Sequence, residues 1–245
     1  MRRAFIRQLE YAFSTYRDRF PSASASNSET HPTFGEIMNA VFVLYDQMTA
    51  LDLVGPYEVL AGHPQVRTYF AANRTGGVRC DNGLTLHADV TFDELPNPDL
   101  VVVPGSSRWH AALDDDELIT WLAAAHLRAT WTTSVCTGST LLAKAGILSG
   151  RRATSHWVAR DTLTADGAIV SAERVVVDGN VITCAGVSAG IDMALTLAAA
   201  LWGESAAMAI QLALEYDPQP PFDSGTPENA PPAVVAAVRA AFTGA

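Results

Sequence analysis

No CxxC pair, no membrane-length apolar run and no basic surplus occur in this chain, and each absence removes a class of protein. The three cysteines, Cys80, Cys136 and Cys184, are too few and too far apart for a disulfide framework or a zinc spacing. No metal is expected, and a reducing, cytoplasmic compartment is. The histidines offer no substitute, because His63, His87 and His110 are scattered without ligand spacing. The longest apolar stretch, residues 193–202, is too short to cross a bilayer, and Asp192 precedes it in the same helical pattern. Lys and Arg number 16 against 26 Asp and Glu, a net charge of −10. That sign opposes a phosphate-binding face, so neither nucleic acid nor an anionic membrane is an expected partner. A small uncharged substrate fits better.

What is present is apolar: 49% of the 245 residues are hydrophobic, enough for one substantial core. Residues 1–20, rich in Arg and aromatics, lead into a polar, small-residue segment at 21–33 that reads as a linker. The expected division is an N-terminal extension, 1–36, disordered or loosely attached, followed by one domain, 37–245. An Arg-rich, Ser-containing start has the flavour of an organellar presequence, but Glu10 and Asp18 oppose it and no apolar signal core is present. Met38, just ahead of the first convincing strand, is read as an alternative start.

From residue 40 the pattern alternates β-branched runs with helical ones. Strands are expected at 40–45, 66–71, 100–103 and 131–135, and helices at 51–61 and 137–145. Asp114 to Glu117 are read as the cap and first turn of a helix running to Arg128. Asp178-Gly179-Asn180 between two Val-rich runs signals a hairpin. Two Ala- and Leu-rich helices follow, then a Pro-rich stretch, 218–232, expected to wrap the surface. Strands alternating with helices imply a mainly parallel sheet covered on both faces, with ligands beyond the carboxyl ends of its strands. The segment carrying Asp52, the loop Pro104 to Ser107 and the turn at Cys136 all fall at such ends.

The last of these carries the chemistry. Ser134-Val135-Cys136-Thr137-Gly138 presents a thiol on a strand-to-helix turn, with small residues two positions to either side, the pattern of a nucleophile elbow. The following helix directs its N-terminal N–H groups at the sulfur and favours thiolate. A cysteine at a strand end is also an ordinary packing residue. Asp52, ahead of a helix, is equally at home as a plain cap.

The segments Leu51-Asp52-Leu53-Val54-Gly55-Pro56, Val103-Pro104-Gly105, Ser134-Val135-Cys136-Thr137-Gly138-Ser139, Arg152-Ala153-Thr154-Ser155-His156-Trp157 and Gln211-Leu212-Ala213-Leu214-Glu215-Tyr216 occur in an order that resembles the DJ-1/PfpI superfamily, and its isonitrile hydratase branch in particular. The resemblance covers the chain from about residue 38 to the end. It implies a flavodoxin-like three-layer α/β sandwich, a homodimer, and hydration of an isonitrile to an N-substituted formamide without metal or organic cofactor. It also implies Cys136 as nucleophile, Asp52 as its acidic partner and Thr137 as an assisting residue. Gly105 and Ser106 fall where the loop's N–H groups are expected to face the nucleophile. Ser106 departs from the usual second glycine, and its side chain is expected either to narrow the pocket or to disturb a conformation that glycine tolerates more easily. His156 falls near the nucleophile, where an imidazolium would stabilise thiolate, and a structural histidine is the equal alternative. Cys184 is read as packing, with a resolving thiol as the alternative.

Two other functions fit the same superfamily. A glyoxalase or deglycase usually uses a Glu as its acid and continues the elbow with Ala or His, so Asp52 and Thr137 speak against it. A thiol redox sensor would use an oxidisable Cys136 without catalysis.

Overall fold

A run of consecutive buried residues can satisfy its N–H and C=O groups only through neighbouring strands, and the Val-rich segments do so. The computed structural model describes residues 37–95 and 97–243; the extension, 1–36, lies outside the described residues. Eleven strands are present among them: β1 (Met38–Val43), β2 (Val66–Ala72), β3 (Gly76–Arg79), β4 (Thr85–Ala88), β5 (Val90–Thr91), β6 (Leu100–Val103), β7 (Trp131–Ser134), β8 (Arg152–Ala153), β9 (Ile169–Val170), β10 (Val175–Asp178) and β11 (Val181–Cys184). Seven of them form the central sheet in the order β10-β11-β7-β6-β1-β2-β5. All its pairings are parallel except β10 with β11, the hairpin expected around Gly179, which turns at φ 60. The order β2-β1-β6-β7-β11 is that of a flavodoxin-like doubly wound sheet, in which the chain leaves β1 toward opposite edges.

Helices cover both faces. On one, α1 (Ala50–Leu60) packs beneath a helix–turn–helix pair near the chain's end. The other face carries α2 (Trp109–Ala112), α3 (Asp116–His126), α4 (Gly138–Lys144) and α5 (Arg160–Ala165). The pair on the first face is α6 (Ala189–Trp202) and α7 (Glu204–Ala213), broken at Gly203 with φ 87. Asp115 caps α3 by accepting from the Leu118 N–H at 3.0 Å, as the acidic run implied. Close contact between α1 and α6 depends on small residues: a Cβ on Gly190 would lie 3.1 Å from Val135 and 3.2 Å from Pro56.

Strand β7 stands where it was expected, and one helix not expected from the sequence is present. Strand β7 is buried although three of its four residues carry hydroxyls; Thr133 Oγ1 donates to the Val101 carbonyl at 3.0 Å, and Thr132 Oγ1 pairs with His126 Nδ1 at 2.9 Å. A last helix, α8 (Pro232–Thr243), follows the exposed Pro-rich stretch. Pro232 begins it, at the position where a missing N–H breaks no helical hydrogen bond. This helix reaches the body through Phe242, stacked on His156 at 4.7 Å, and Arg239, over the Trp157 ring at 4.9 Å.

Register sets the site. Val103 of β6, Ser134 of β7 and Thr183 of β11 lie in one row across the sheet, so the loops after these strands leave at the same level.

Candidate active site

The chain turns sharply past Ser134, and Cys136 takes φ 58, a left-handed conformation unusual for a side-chain-bearing residue. Such backbone persists only where its surroundings over-determine it. Here the Val135 N–H donates to the Val103 carbonyl at 3.0 Å and the Cys136 N–H to the Ala185 carbonyl at 3.0 Å. The Cys136 carbonyl accepts from Ser155 Oγ at 3.0 Å, Ser139 Oγ at 3.3 Å and the His156 N–H at 3.3 Å. A Cβ on Gly138 would collide with the Val103 carbonyl, which explains the glycine two positions on. Elbow geometry is thus present in full.

Asp52 lies in the first turn of α1 but does not cap it; the N-cap position is Thr49. Its carboxylate turns instead to the β6 loop, where Oδ2 accepts from the Gly105 N–H at 2.8 Å. The side chain is wholly buried, and Oδ1 has no well-directed hydrogen bond among the described residues. The Cys136 thiol stands close enough to the carboxyl to stabilise its ionised form, a proximity rather than an aligned bond. Burial nevertheless dominates, with the Asp81 charge adding to it, and lifts Asp52 to about 7. A carboxyl so placed gains and loses its proton near neutrality.

The elbow and the β6 loop are stapled together. Thr137 Oγ1 donates to the Ser106 carbonyl and accepts from the Ser106 N–H, and a Cβ on Gly105 would lie 2.5 Å from the Thr137 nitrogen. These contacts correct two expectations, one for the loop's N–H groups and one for the Ser106 side chain. The Gly105 N–H is committed to Asp52 and the Ser106 N–H to Thr137, so neither is free to bind a developing anion. The Thr137 hydroxyl is engaged on both sides. The Ser106 side chain does not narrow the pocket: its Oγ donates to the Gln47 carbonyl at 2.6 Å and accepts from the Arg108 N–H at 2.9 Å. The donors that reach the sulfur are the backbone N–H groups of Thr137 and Val187.

A standing thiolate is also corrected. Burial, and then the facing Asp52 charge, push the Cys136 thiol well above its usual range, and the two N–H groups offset only part of this. His156 supplies no positive charge. Burial and the nearby Arg160 lower it to about 4, so its ring is neutral at pH 7, stacked on Phe242 and pressed against Gly186.

Two groups escaped the sequence reading. The Tyr45 hydroxyl, buried at the end of β1, donates to the Pro104 carbonyl at 2.9 Å and is raised by burial and by the charges of Asp52, Cys136 and Asp81. Its place just past a central strand was the available signal. Val187 acts through its backbone and left none. Away from the site, His63 stacks on Trp202 at 3.9 Å and His110 on Trp109 at 3.6 Å. Among the described residues no cluster of His, Cys, Asp or Glu has the geometry of a metal site, and no helix is long and apolar enough to cross a membrane.

Known proteins resemble this chain in sequence and in fold. The isonitrile hydratase of Pseudomonas putida is 45% identical over 194 residues, 79% of this chain and 85% of that protein. The crystal structure of a ThiJ/PfpI family protein from Pseudomonas syringae superposes with a TM-score of 0.80 at 35% identity, covering 92% of this chain and 98% of that one. Deglycase PfpI of Pyrococcus furiosus is more distant, 28% identical over 148 residues, 58% of this chain and 87% of that protein. Residues 38–200 match the DJ-1/PfpI family, and this chain belongs to it.

Proposed function

We propose that this protein is an isonitrile hydratase, converting an isonitrile and water to an N-substituted formamide. The observation that carries the reading is the buried pair of Cys136 and Asp52, a soft nucleophile facing a carboxyl that exchanges its proton near neutral pH. Asp52 takes the thiol proton, the sulfur adds to the terminal carbon, and the carboxyl returns the proton to that carbon, giving a thioimidate. The ionised carboxylate then activates water, whose attack forms a tetrahedral species. Collapse of that species releases the formamide and restores the thiol. The unpartnered Asp52 Oδ1 supports this role, since a buried oxygen without a donor suits transient protonation. The N–H groups of Thr137 and Val187 stabilise the sulfur as it departs.

The same proposal takes 37–245 as one catalytic domain acting without a cofactor. It places the protein in the cytoplasm, where the free thiols Cys80, Cys136 and Cys184 would stay reduced. A homodimer is part of it, supported by exposed apolar side chains that a second copy would cover, Leu51 on α1 and Met208 and Leu212 on α7.

Formamide release from an alkyl isonitrile by the wild type, Cys136→Ala and Asp52→Asn tests the reading. Turnover is expected in the wild type alone. Faster consumption of methylglyoxal than of the isonitrile would assign the protein to deglycase chemistry instead.

A further inference from the structure

A second buried thiol adjoins the nucleophile and takes no part in the hydration steps. Cys184 ends β11, the strand paired with β7, in the register Thr183 to Ser134. The next contact is the Cys136 N–H on the Ala185 carbonyl at 3.0 Å. Cys184 is therefore one position out of step with Cys136 on the adjacent strand, and the Cys136 N–H also faces the Cys184 sulfur. Paired strands run about 4.8 Å apart and a disulfide joins Cα atoms about 4.4–6.8 Å apart, so such a diagonal neighbour is within bridging range.

From this geometry we infer that Cys184 is the resolving thiol of Cys136, closing an intramolecular disulfide once a hydroperoxide has oxidised the nucleophile. In the first step Asp52 takes the Cys136 thiol proton and the sulfur attacks a peroxide oxygen. An S–O bond forms, the O–O bond breaks, and the leaving oxygen takes the proton held by Asp52. In the second step the Cys184 sulfur attacks the sulfenic sulfur. The S–S bond forms, the S–O bond breaks, and hydroxide leaves with the Cys184 proton as water. Two thiols and one hydrogen peroxide thus give one disulfide and two waters.

The surroundings favour this end point over sulfinic acid. Sulfinate is a permanent anion, and it would sit in a buried site against the Asp52 carboxyl, whose charge already opposes a second one there. Arg174, the cation that reaches Cys184 electrostatically, is already bound to Asp192 at 2.6 Å. A disulfide is neutral and suits the apolar site.

The inference rests on Cys136 as the reactive thiol but not on isonitrile chemistry, and peptide mapping reads the two separately. The purified chain is treated with hydrogen peroxide, blocked, digested without reductant and analysed by mass spectrometry. A cross-linked pair of peptides containing Cys136 and Cys184, lighter by about 2 Da and released by dithiothreitol, is expected. In Cys184→Ser, Cys136 is expected to gain about 32 Da irreversibly. Sulfinic Cys136 in the wild type without the cross-link, a link to Cys80, or a link between chains would overturn the inference. So would a reduced Cys136, and if isonitrile turnover persisted in that case the hydratase reading would stand alone.

Discussion

Thr137 and Ser106 hold each other at both ends: Thr137 Oγ1 donates to the Ser106 carbonyl at 2.9 Å and accepts from the Ser106 N–H at 2.8 Å. One hydroxyl thus fastens the start of α4 to the loop after β6, whose previous residue, Gly105, donates to Asp52. The nucleophile and its acid are kept in register through this staple. Thr137→Val keeps the shape and removes both hydrogen bonds, leaving a buried N–H and a buried carbonyl unpaired. A loss of roughly 2 to 4 kcal/mol is expected in urea unfolding, with reduced turnover. Thr137→Ser retains the hydroxyl and is expected to lose far less of both. If valine and serine behaved alike, the staple would be irrelevant to the site.

Gly105 gives a harsher version of the same test. A Cβ there would lie 2.5 Å from the Thr137 nitrogen and 2.6 Å from its Oγ1, both held by the elbow. Gly105→Ala must push the loop off α4 and carry its N–H away from Asp52. The expected result is at least about 3 kcal/mol of lost stability and loss of turnover. Gly62→Ala is the control, because nothing lies within 4 Å of a Cβ at that position.

The parts of the molecule that sequence exposed most clearly are those where one residue type has one physical use. Val-rich strands, the Asp-Gly-Asn hairpin and the elbow at Cys136 are of that kind, and the parallel sheet and the elbow stand as expected. Side-chain direction is a different matter, since it depends on partners distant in the chain. Ser106 occupies a loop beside the nucleophile, yet its hydroxyl turns back to the Gln47 carbonyl. His156 falls beside Cys136 through its backbone N–H, while burial holds its ring neutral. The sign of a pKa shift was likewise hidden. A helix start argues for thiolate, and the cost of burying that charge beside Asp52 is visible only once α1 and the β7 turn are packed together.

The raised Asp52 pKa has a consequence for stability. The folded chain keeps this proton up to about pH 7, whereas the unfolded chain releases it near 3.8. Between those values the folded state binds more protons, so this residue's contribution to stability falls as pH rises and is lowest above about 7. Asp52→Asn, which still accepts from Gly105, removes the penalty. The variant is expected to be more stable than wild type by roughly 2 to 4 kcal/mol at pH 8, with the gap closing toward pH 4. Equal unfolding midpoints at both pH values would mean that Asp52 ionises normally.

Activity should follow the same proton with a different profile. The pair reacts when it holds a single proton, because a doubly protonated pair has no base to take the thiol proton. Its first ionisation is that of Asp52, at about 7. Below that pH, kcat/KM on an isonitrile is expected to fall tenfold per pH unit, since each unit removes nine-tenths of the singly protonated form. The alkaline limb requires loss of the last proton. Burial and the Asp52 charge hold the thiol well above its ordinary 9.0, so no decline is expected between about pH 8 and the usual thiol range. A profile with its acid limb near pH 4 would assign the carboxyl an ordinary pKa and remove it as the exchanging acid. A decline beginning near pH 8 would mean that the thiol ionises independently of Asp52, and the two residues would then no longer act as one titrating unit.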